Sequence, residues 1–212
     1  MKEQSIGTVE AILEASQKEF LTYGYEEASL RRIAKNANVT TGAIYVHFSC
    51  KKALFDALTK AVMDQFYEMF TESYLQFNKM SAEERLSSMN HVPSTLFEPL
   101  LPALINYIYD NITVFKLYLC CNMPEKEERY INELSKVVES TFIMLIEDME
   151  CYGYSPPKLE TGLIHILASS IIHHVEEFII HDYLRENVLT YAKVICNFWK
   201  AGWMNVLGFS SY

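Results

Sequence analysis

The sequence predicts an all-α fold, with an N-terminal three-helix bundle followed by a larger helical domain. Apolar residues recur at three- and four-residue spacing through most of the 212 residues, which is the period of an α-helix. No segment shows the apolar–polar alternation of a β-strand. Half of the residues are hydrophobic and 13% are aromatic, so the chain can bury a substantial core. We place the boundary between the two domains at residues 52 and 53.

The predicted helices are short near the N-terminus and long thereafter. An amphipathic helix over residues 6–23 ends at Gly24, and two short helices with a turn follow it. Helix boundaries from sequence carry an error of a few residues. In chain order the later elements are a helix over 51–78, a short helix and loop after 80, two helices within 97–121, a helix from Pro124 to Gly153, and helices over 159–182 and 186–207.

The stretch from Ser29 to Lys52 has the pattern of a helix-turn-helix. Ser29 is a suitable N-cap for the first short helix, and Thr40 is one for the second. Asn38 tolerates the left-handed backbone that a sharp turn between them needs. Ile44 supplies the apolar plug of the second helix. An ordinary helical hairpin in a bundle is the alternative, because motif matches carry a false-positive risk.

The net charge of −9 is unevenly distributed along the chain. Residues 1–52 carry a net charge of +1, and the remainder carries −10. Five of the seven basic residues in the first segment lie between Arg31 and Lys52. The local field therefore favours phosphate, although the whole chain is acidic and its remainder should stay away from DNA.

These N-terminal residues resemble the tetracycline-repressor (TetR) family of transcriptional regulators. The resemblance covers about the first quarter of the chain, and many positions agree in order and spacing. Asn38 stands where the family commonly has glycine, and Lys52 stands where an acidic residue is usual. The positions that match are Gly24, Tyr25, Ile33, Ala34, Val39, Thr40, Gly42, Ile44, Tyr45, His47, Phe48, Lys51 and Leu54.

The resemblance implies a homodimer that binds a palindromic DNA operator through paired recognition helices. The threonines at the front of the second short helix would contact base edges, and Arg31 would reach a guanine or a phosphate. Tyr45, His47 and Lys51 would contact phosphates and set the register. The implied DNA-binding residues are Ser29, Arg31, Thr40, Thr41, Gly42, Ala43, Tyr45, His47 and Lys51.

The resemblance also assigns effector binding and dimerisation to residues 53–212. Aromatic and methionine side chains suit a small hydrophobic or aromatic effector, although such stripes are more often core. The candidate effector residues are Phe66, Met69, Phe70, Tyr74, Tyr107, Tyr109, Phe115 and Phe142. The last two helices offer wide apolar faces, for which a core within one chain is the alternative. The candidate interface residues are Ile166, Ser170, His174, Phe178, Tyr191, Ile195, Phe198 and Trp199.

Two sharper patterns point to sensing. His173, Glu177 and His181 share a helical face and could bind a metal, but buried or ion-paired histidines are favoured. Cys50 precedes two lysines, which could lower its pKa. We predict neither a metal nor a cofactor.

The remaining observations bear on function class and location. The sequence contains no glycine-rich phosphate loop and no HExxH or GxSxG motif, so we do not expect an enzyme. Five scattered cysteines predict reduced thiols in a cytoplasmic protein, and neither a secretory signal nor a membrane span is expected. The expected function is a ligand-responsive repressor. The alternative is a helical protein-interaction module whose helix-turn-helix is vestigial.

Overall fold

The computed structural model describes residues 2–88, 101–121 and 127–208. Within these ranges it contains ten α-helices and no strand, which confirms the all-α prediction. The helices are α1 (Lys2–Glu27), α2 (Leu30–Asn36), α3 (Thr41–His47), α4 (Lys51–Lys79), α5 (Ala82–Ser88), α6 (Leu101–Asp110), α7 (Ile112–Cys120), α8 (Glu127–Cys151), α9 (Thr161–Ile180) and α10 (Arg185–Val206).

The long helices begin and end within a few residues of their predicted bounds. The predicted start of one helix at Phe97 and of another at Pro124 lies outside the described residues. After α8, Gly153 has a φ of 81°, and the N–H of Tyr154 donates to the Met149 carbonyl. A left-handed residue therefore ends this helix, as predicted for Gly153.

Gly24 interrupts α1, as the sequence predicted. Its φ of 71° and ψ of 175° are not helical, and a separate short helical segment follows it to Glu27. The N–H of Tyr25 donates to the Cys121 carbonyl at 3.0 Å, and the Cys121 thiol donates to the Phe20 carbonyl at 3.2 Å. The end of α7 therefore satisfies backbone groups that the break leaves without helical partners.

The chain packs as two compact units whose boundary differs from the predicted one. Unit 1 comprises residues 1–65 and 111–127, and unit 2 comprises residues 66–110 and 128–212. The first half of α4 belongs to unit 1 because Leu54 and Phe55 are buried in its core. Leu117 of α7 is buried in the same core. A sequence boundary at residue 52 misses both contributions, because α4 is continuous and α7 comes from the later part of the chain.

A buried ion pair joins two helices of unit 2. Arg85 of α5 donates from Nε and Nη2 to both carboxylate oxygens of Asp148 of α8, at 2.6 and 2.9 Å. Its Nη1 donates to the carbonyls of Asn78 and Met80 at the end of α4. Hydrogen bonding to Asp148 raises the pKa of Arg85. Because both side chains are nearly buried, removing either partner would leave an uncompensated charge.

By length and composition, α9 is apolar enough to cross a membrane. The core helix of a soluble protein passes the same test. In unit 2, Ile164, Ala168, Ile172 and Ile179 on one side of α9 are buried. These four residues pack α9 within unit 2.

Candidate nucleic-acid interface

The turn between α2 and α3 is closed by its backbone. Asn38 has a φ of 53°, as the sequence predicted for this position. The N–H of Val39 donates to the Ala34 carbonyl at 2.9 Å, and that of Asn38 donates to the Lys35 carbonyl at 3.2 Å. These two bonds form a Schellman motif, so α2 stops sharply and the chain turns into α3.

α3 is capped at its start and anchored by one buried residue. The Thr40 hydroxyl accepts a hydrogen bond from the Ala43 N–H at 3.1 Å, which confirms the predicted cap. Ile44 is 1% exposed and holds the helix to the core of unit 1. The opposite side of α3 carries Gly42, Tyr45 and Val46, all exposed. This side is free to meet a partner.

Val46 is a residue that sequence reasoning missed. It is 79% exposed and lies one turn after Gly42 on the outward side of α3. A large apolar side chain exposed on a short helix is suited to contact a thymine methyl group. Val46 could have been predicted from its four-residue spacing from Gly42, because residues four apart lie on the same side of a helix.

The two adjacent arginines of α2 have different roles. Arg32 donates to the buried carboxylate of Glu19 and to the Glu27 carbonyl, each at 2.7 Å, and stacks over the Tyr23 ring. Arg31 is exposed and makes no such bond to the described residues. Lys35, one turn later, is exposed in the same way. The cations left for an external anion on α2 are therefore Arg31, as predicted, and Lys35, which was not.

Ser29 begins α2 through its backbone and not through its side chain. It has the extended backbone of an N-cap, but its hydroxyl makes no capping bond. Its N–H instead donates to Oε1 of Glu19 at 2.8 Å. Glu19 thus orients the start of α2 from α1, and the Ser29 side chain has no part in this.

Lys51 binds the protein's own backbone instead of pointing outward. Its Nζ donates to the carbonyls of Tyr25, Glu26 and Ala28 at 2.6, 2.9 and 3.4 Å, and lies 4.7 Å from the centre of the Tyr25 ring. An ammonium group has three N–H donors, so a phosphate contact would require one of these bonds to break. The predicted role of Lys51 as a phosphate ligand is therefore revised to fixing α4 against the end of α1.

The other predicted DNA-binding side chains lie on or beside α3. Thr40 and Gly42 are exposed, whereas Thr41 and Ala43 are half-buried. Tyr45 is 56% exposed. His47 is exposed at the end of α3, where its ring contacts that of Phe48. The structure thus brings these residues together on a single short helix.

Cys50 precedes α4, and its environment differs from the prediction. Its Sγ accepts a hydrogen bond from the Ala53 N–H at 3.4 Å, and this bond and the Ser49 hydroxyl lower its thiol pKa. The flanking lysines are engaged elsewhere, since Lys52 pairs with Asp56 at 3.3 Å and Lys51 binds carbonyls. The backbone at the start of the helix, and not the lysine charge, therefore favours the thiolate.

Residues 12–58 match the family model described as bacterial regulatory proteins, tetR family. The match contains α2, the turn, α3 and the start of α4, where the geometry above lies. Residues 12–58 therefore match the N-terminal region of the TetR family.

Three known proteins illustrate the extent of the similarity. The A-factor receptor protein of Streptomyces griseus is 37% identical over 62 residues, which are 29% of this chain and 21% of that protein. The uncharacterised regulator YdgC of Bacillus subtilis is 20% identical over 195 residues, 92% of each chain. The crystal structure of NalD, the secondary repressor of the MexAB-OprM multidrug efflux pump in Pseudomonas aeruginosa, matches with 21% identity and a TM-score of 0.53, covering 97% of this chain and 98% of that one. The first three curated relatives are matched over only 21% to 38% of their lengths.

The residues predicted to line an effector site are divided between the two units. Phe115 belongs to unit 1, and the other seven belong to unit 2. Phe70 and Tyr74 contact each other on α4, with ring centres 5.1 Å apart. Tyr109 donates its hydroxyl to the Tyr183 carbonyl at 2.5 Å, and Phe142 stacks on a tryptophan. Of the seven, Phe66, Phe70, Tyr74 and Phe142 are buried, and Met69, Tyr107 and Tyr109 are half-buried.

The predicted dimer face divides into exposed and packed residues. Phe178 packs against α6 and α10 within unit 2, and Trp199 meets the His174 ring edge-on. Ser170 and Ile195 are half-buried. We define the outer apolar face as five of the large apolar side chains that α9 and α10 expose, namely Leu163 (45%), Ile166 (62%), Tyr191 (41%), Val194 (64%) and Phe198 (68%). Leu163 and Val194 are not among the candidate interface residues.

His173 of α9 and His181, which follows it, each pair with a carboxylate of the same helix. Nδ1 of His173 lies 2.5 Å from Oε2 of Glu176, and Nε2 of His181 lies 3.2 Å from Glu177. The sequence placed His173 with Glu177, but the shorter spacing to Glu176 is the one used. Within the described part of the chain, no three such side chains cluster as metal ligands.

Proposed function

We propose that this protein is a ligand-responsive transcriptional repressor that binds a palindromic DNA operator as a homodimer. The observation that carries the proposal is the outward side of α3. It is exposed, it is fixed by the Thr40 cap and the Ile44 anchor, and two free cations lie on the neighbouring helix. A short helix of this kind is suited to enter the major groove.

Each exposed group would have a distinct part in DNA binding. Thr40 and Thr41 would donate hydrogen bonds to base edges or accept them, and Val46 would contact a thymine methyl group. The small Gly42 and Ala43 would let the helix approach closely. Arg31, Lys35 and Tyr45, with His47, would contact phosphates or a guanine. Ser29 and Lys51 would act indirectly, by fixing the helices that carry these groups.

The outer apolar face would form the dimer interface. Five large apolar side chains that are each more than 40% exposed need a partner, and a second copy would bury the same residues from both sides. Dimerisation would place two copies of α3 about one helical turn of DNA apart, which is the spacing a palindrome requires.

Unit 2 would bind the effector and bias the spacing of the two recognition helices. A ligand that prefers the conformer with the wrong spacing would release DNA, by no more than its difference in affinity for the two conformers. The names of two similar proteins, the A-factor receptor protein and the repressor NalD, favour this combination. We also infer a cytoplasmic location, where the operator DNA lies.

The decisive experiment measures binding to the DNA upstream of the protein's own gene by fluorescence anisotropy, against DNA of scrambled sequence. We expect salt-sensitive binding that is at least about 10³-fold tighter for one site than for scrambled DNA. Thr41→Ala should change the preferred sequence, whereas an exposed change far from α3, such as Leu75→Ala, should not. Absence of any sequence-specific binding would instead favour the helical protein-interaction module.

A further inference from the structure

The chain contains two tryptophans, Trp199 and Trp203, which lie one helical turn apart on α10. The indole nitrogen of each is buried, and neither Nε1–H donates a hydrogen bond to another described residue. Buried tryptophan N–H groups usually have an acceptor, because an unsatisfied donor is costly. Two such donors on one side of one helix therefore require an explanation.

Both indoles face the inside of unit 2. Trp203 is 5% exposed, and its ring is stacked on Phe142 of α8 with the ring centres 3.5 Å apart. Trp199 is half-buried and meets the ring of His174 of α9 edge-on, with the centres 5.8 Å apart. The pair thus extends from a partly exposed position into the core, on a different side of α10 from the outer apolar face.

A third polar group lies on the adjoining helix. The Ser135 hydroxyl of α8 is fully buried and makes no hydrogen bond to another described residue. Ser135 precedes Phe142 by seven residues, so both lie on the same side of α8. Its hydroxyl can donate and accept, whereas an indole N–H can only donate. Val138 and Leu145 on the same helix are also fully buried.

The charges of unit 2 restrict what these donors can bind. Among its described residues, Arg85 is the buried cation, and both arms of its guanidinium fork are bonded to Asp148. A buried anionic group would therefore have no free cation to neutralise it, and burying an unpaired charge is strongly unfavourable. An uncharged oxygen acceptor has no such requirement.

We propose that Trp199 and Trp203 form a binding site for the acceptor oxygen of an uncharged, mainly apolar ligand, such as an aromatic ketone. This inference rests on the proposed role of unit 2 as the effector domain and gives that effector a chemical class. Of the residues predicted to line the effector site, Phe142 belongs to this site, as the ring on which Trp203 is stacked.

Benzophenone and diphenylmethane test the proposal, because they share two phenyl rings and differ in a carbonyl against a methylene. Titration calorimetry on the full chain should give about tenfold tighter binding for benzophenone. Near-ultraviolet irradiation attaches benzophenone to adjacent C–H groups, and peptide mapping should find it on α8 or α10. Palmitoyl-CoA serves as the anionic probe and should bind more weakly than benzophenone.

Trp199→Phe and Trp203→Phe keep an aromatic ring and remove the N–H. Each should weaken benzophenone binding about threefold and leave diphenylmethane binding unchanged, and the control Tyr152→Phe, at an exposed tyrosine after α8, should change neither. If the two variants weakened the binding of both compounds equally, the indole rings would be needed only for packing, and the proposal would be overturned. Equal affinity of the two compounds, or tighter binding of palmitoyl-CoA, would overturn it too. Operator binding without ligand, measured separately, tests the proposed function independently.

Discussion

At the scale of single residues, neighbouring side chains of one type serve different purposes. Arg32 is bonded to a buried carboxylate, while Arg31 has an exposed guanidinium. Lys51 uses its three donors on backbone carbonyls, while Lys35 is exposed. Sequence reasoning assigned charges to DNA by their position in the motif. Only the structure separates the cations that hold unit 1 together from those that are available to phosphate.

Arg31 and Arg32 form a matched pair for mutation. Arg31→Ala should weaken operator binding about tenfold and reduce the slope of log affinity against log salt by about one, with no change in melting temperature. Arg32→Ala should lower the melting temperature, because it leaves the carboxylate of Glu19 buried without its ion-pair partner. Thermal unfolding followed by circular dichroism measures the melting temperatures, and fluorescence anisotropy at several salt concentrations measures operator binding. Equal loss of thermal stability in the two variants would contradict the assignment.

Cys50 should be the most reactive thiol of the chain. It is exposed, and hydrogen bonds from the Ala53 N–H and Ser49 lower its pKa, so more of it is thiolate at neutral pH. Burial raises the pKa of Cys121 to about 11, so that thiol should react last. Timed iodoacetamide labelling at pH ~7.5 with peptide mapping gives the order. Cys50→Ser should remove the fast phase, and a fast phase that persists in this variant would refute the prediction.

At the scale of elements, the helix-turn-helix depends on one left-handed residue. Asn38 has a φ of 53°, and the two hydrogen bonds of the turn follow from that geometry. The sequence predicted this residue and the Thr40 cap because both are local effects that a short segment determines. It also predicted the break at Gly24, but not the hydrogen bond there from the Tyr25 N–H to the carbonyl of Cys121, which is distant in the chain.

Substitution of Asn38 should separate backbone strain from side-chain contacts. Asn38→Ala should lower the free energy of unfolding by about 1–2 kcal/mol, because a Cβ disfavours the left-handed region and alanine has no polar group to compensate. Asn38→Gly should be as stable as the parent or more so, because glycine adopts this conformation readily. Urea unfolding of both variants measures the difference. If alanine were tolerated as well as glycine, the turn could not be strained in the way described.

At the scale of the whole molecule, the outer apolar face lies beside the residues that pack the core, and it is the surface of the proposed dimer. Its five side chains are exposed in the single chain, whereas the adjacent residues Val188 and Ala192 of α10 are buried against α6. One side of α10 therefore belongs to the core of unit 2, and another is available for a second copy. Helical periodicity alone could not divide these two sides, because both are apolar.

Phe198→Asp should convert the dimer into a monomer and reduce operator affinity at least about tenfold, because a charge would be buried at the interface. Sedimentation velocity measures the oligomeric state, and anisotropy measures DNA binding. The control is Leu75→Asp, which places the same charge at a residue 50% exposed on α4 and should leave the dimer intact. A dimeric Phe198→Asp protein would exclude this face as the interface.

The sequence by itself determined the helical class, the extent of the long helices and the local geometry of the helix-turn-helix. These follow from periodicity, capping and turn chemistry, which act over a few residues. The tertiary structure decided that Lys51 holds the corner after Gly24, that α7 completes unit 1, and that Arg85 pairs with Asp148. These contacts join residues from 23 to more than 60 positions apart, so only the packed chain specifies them.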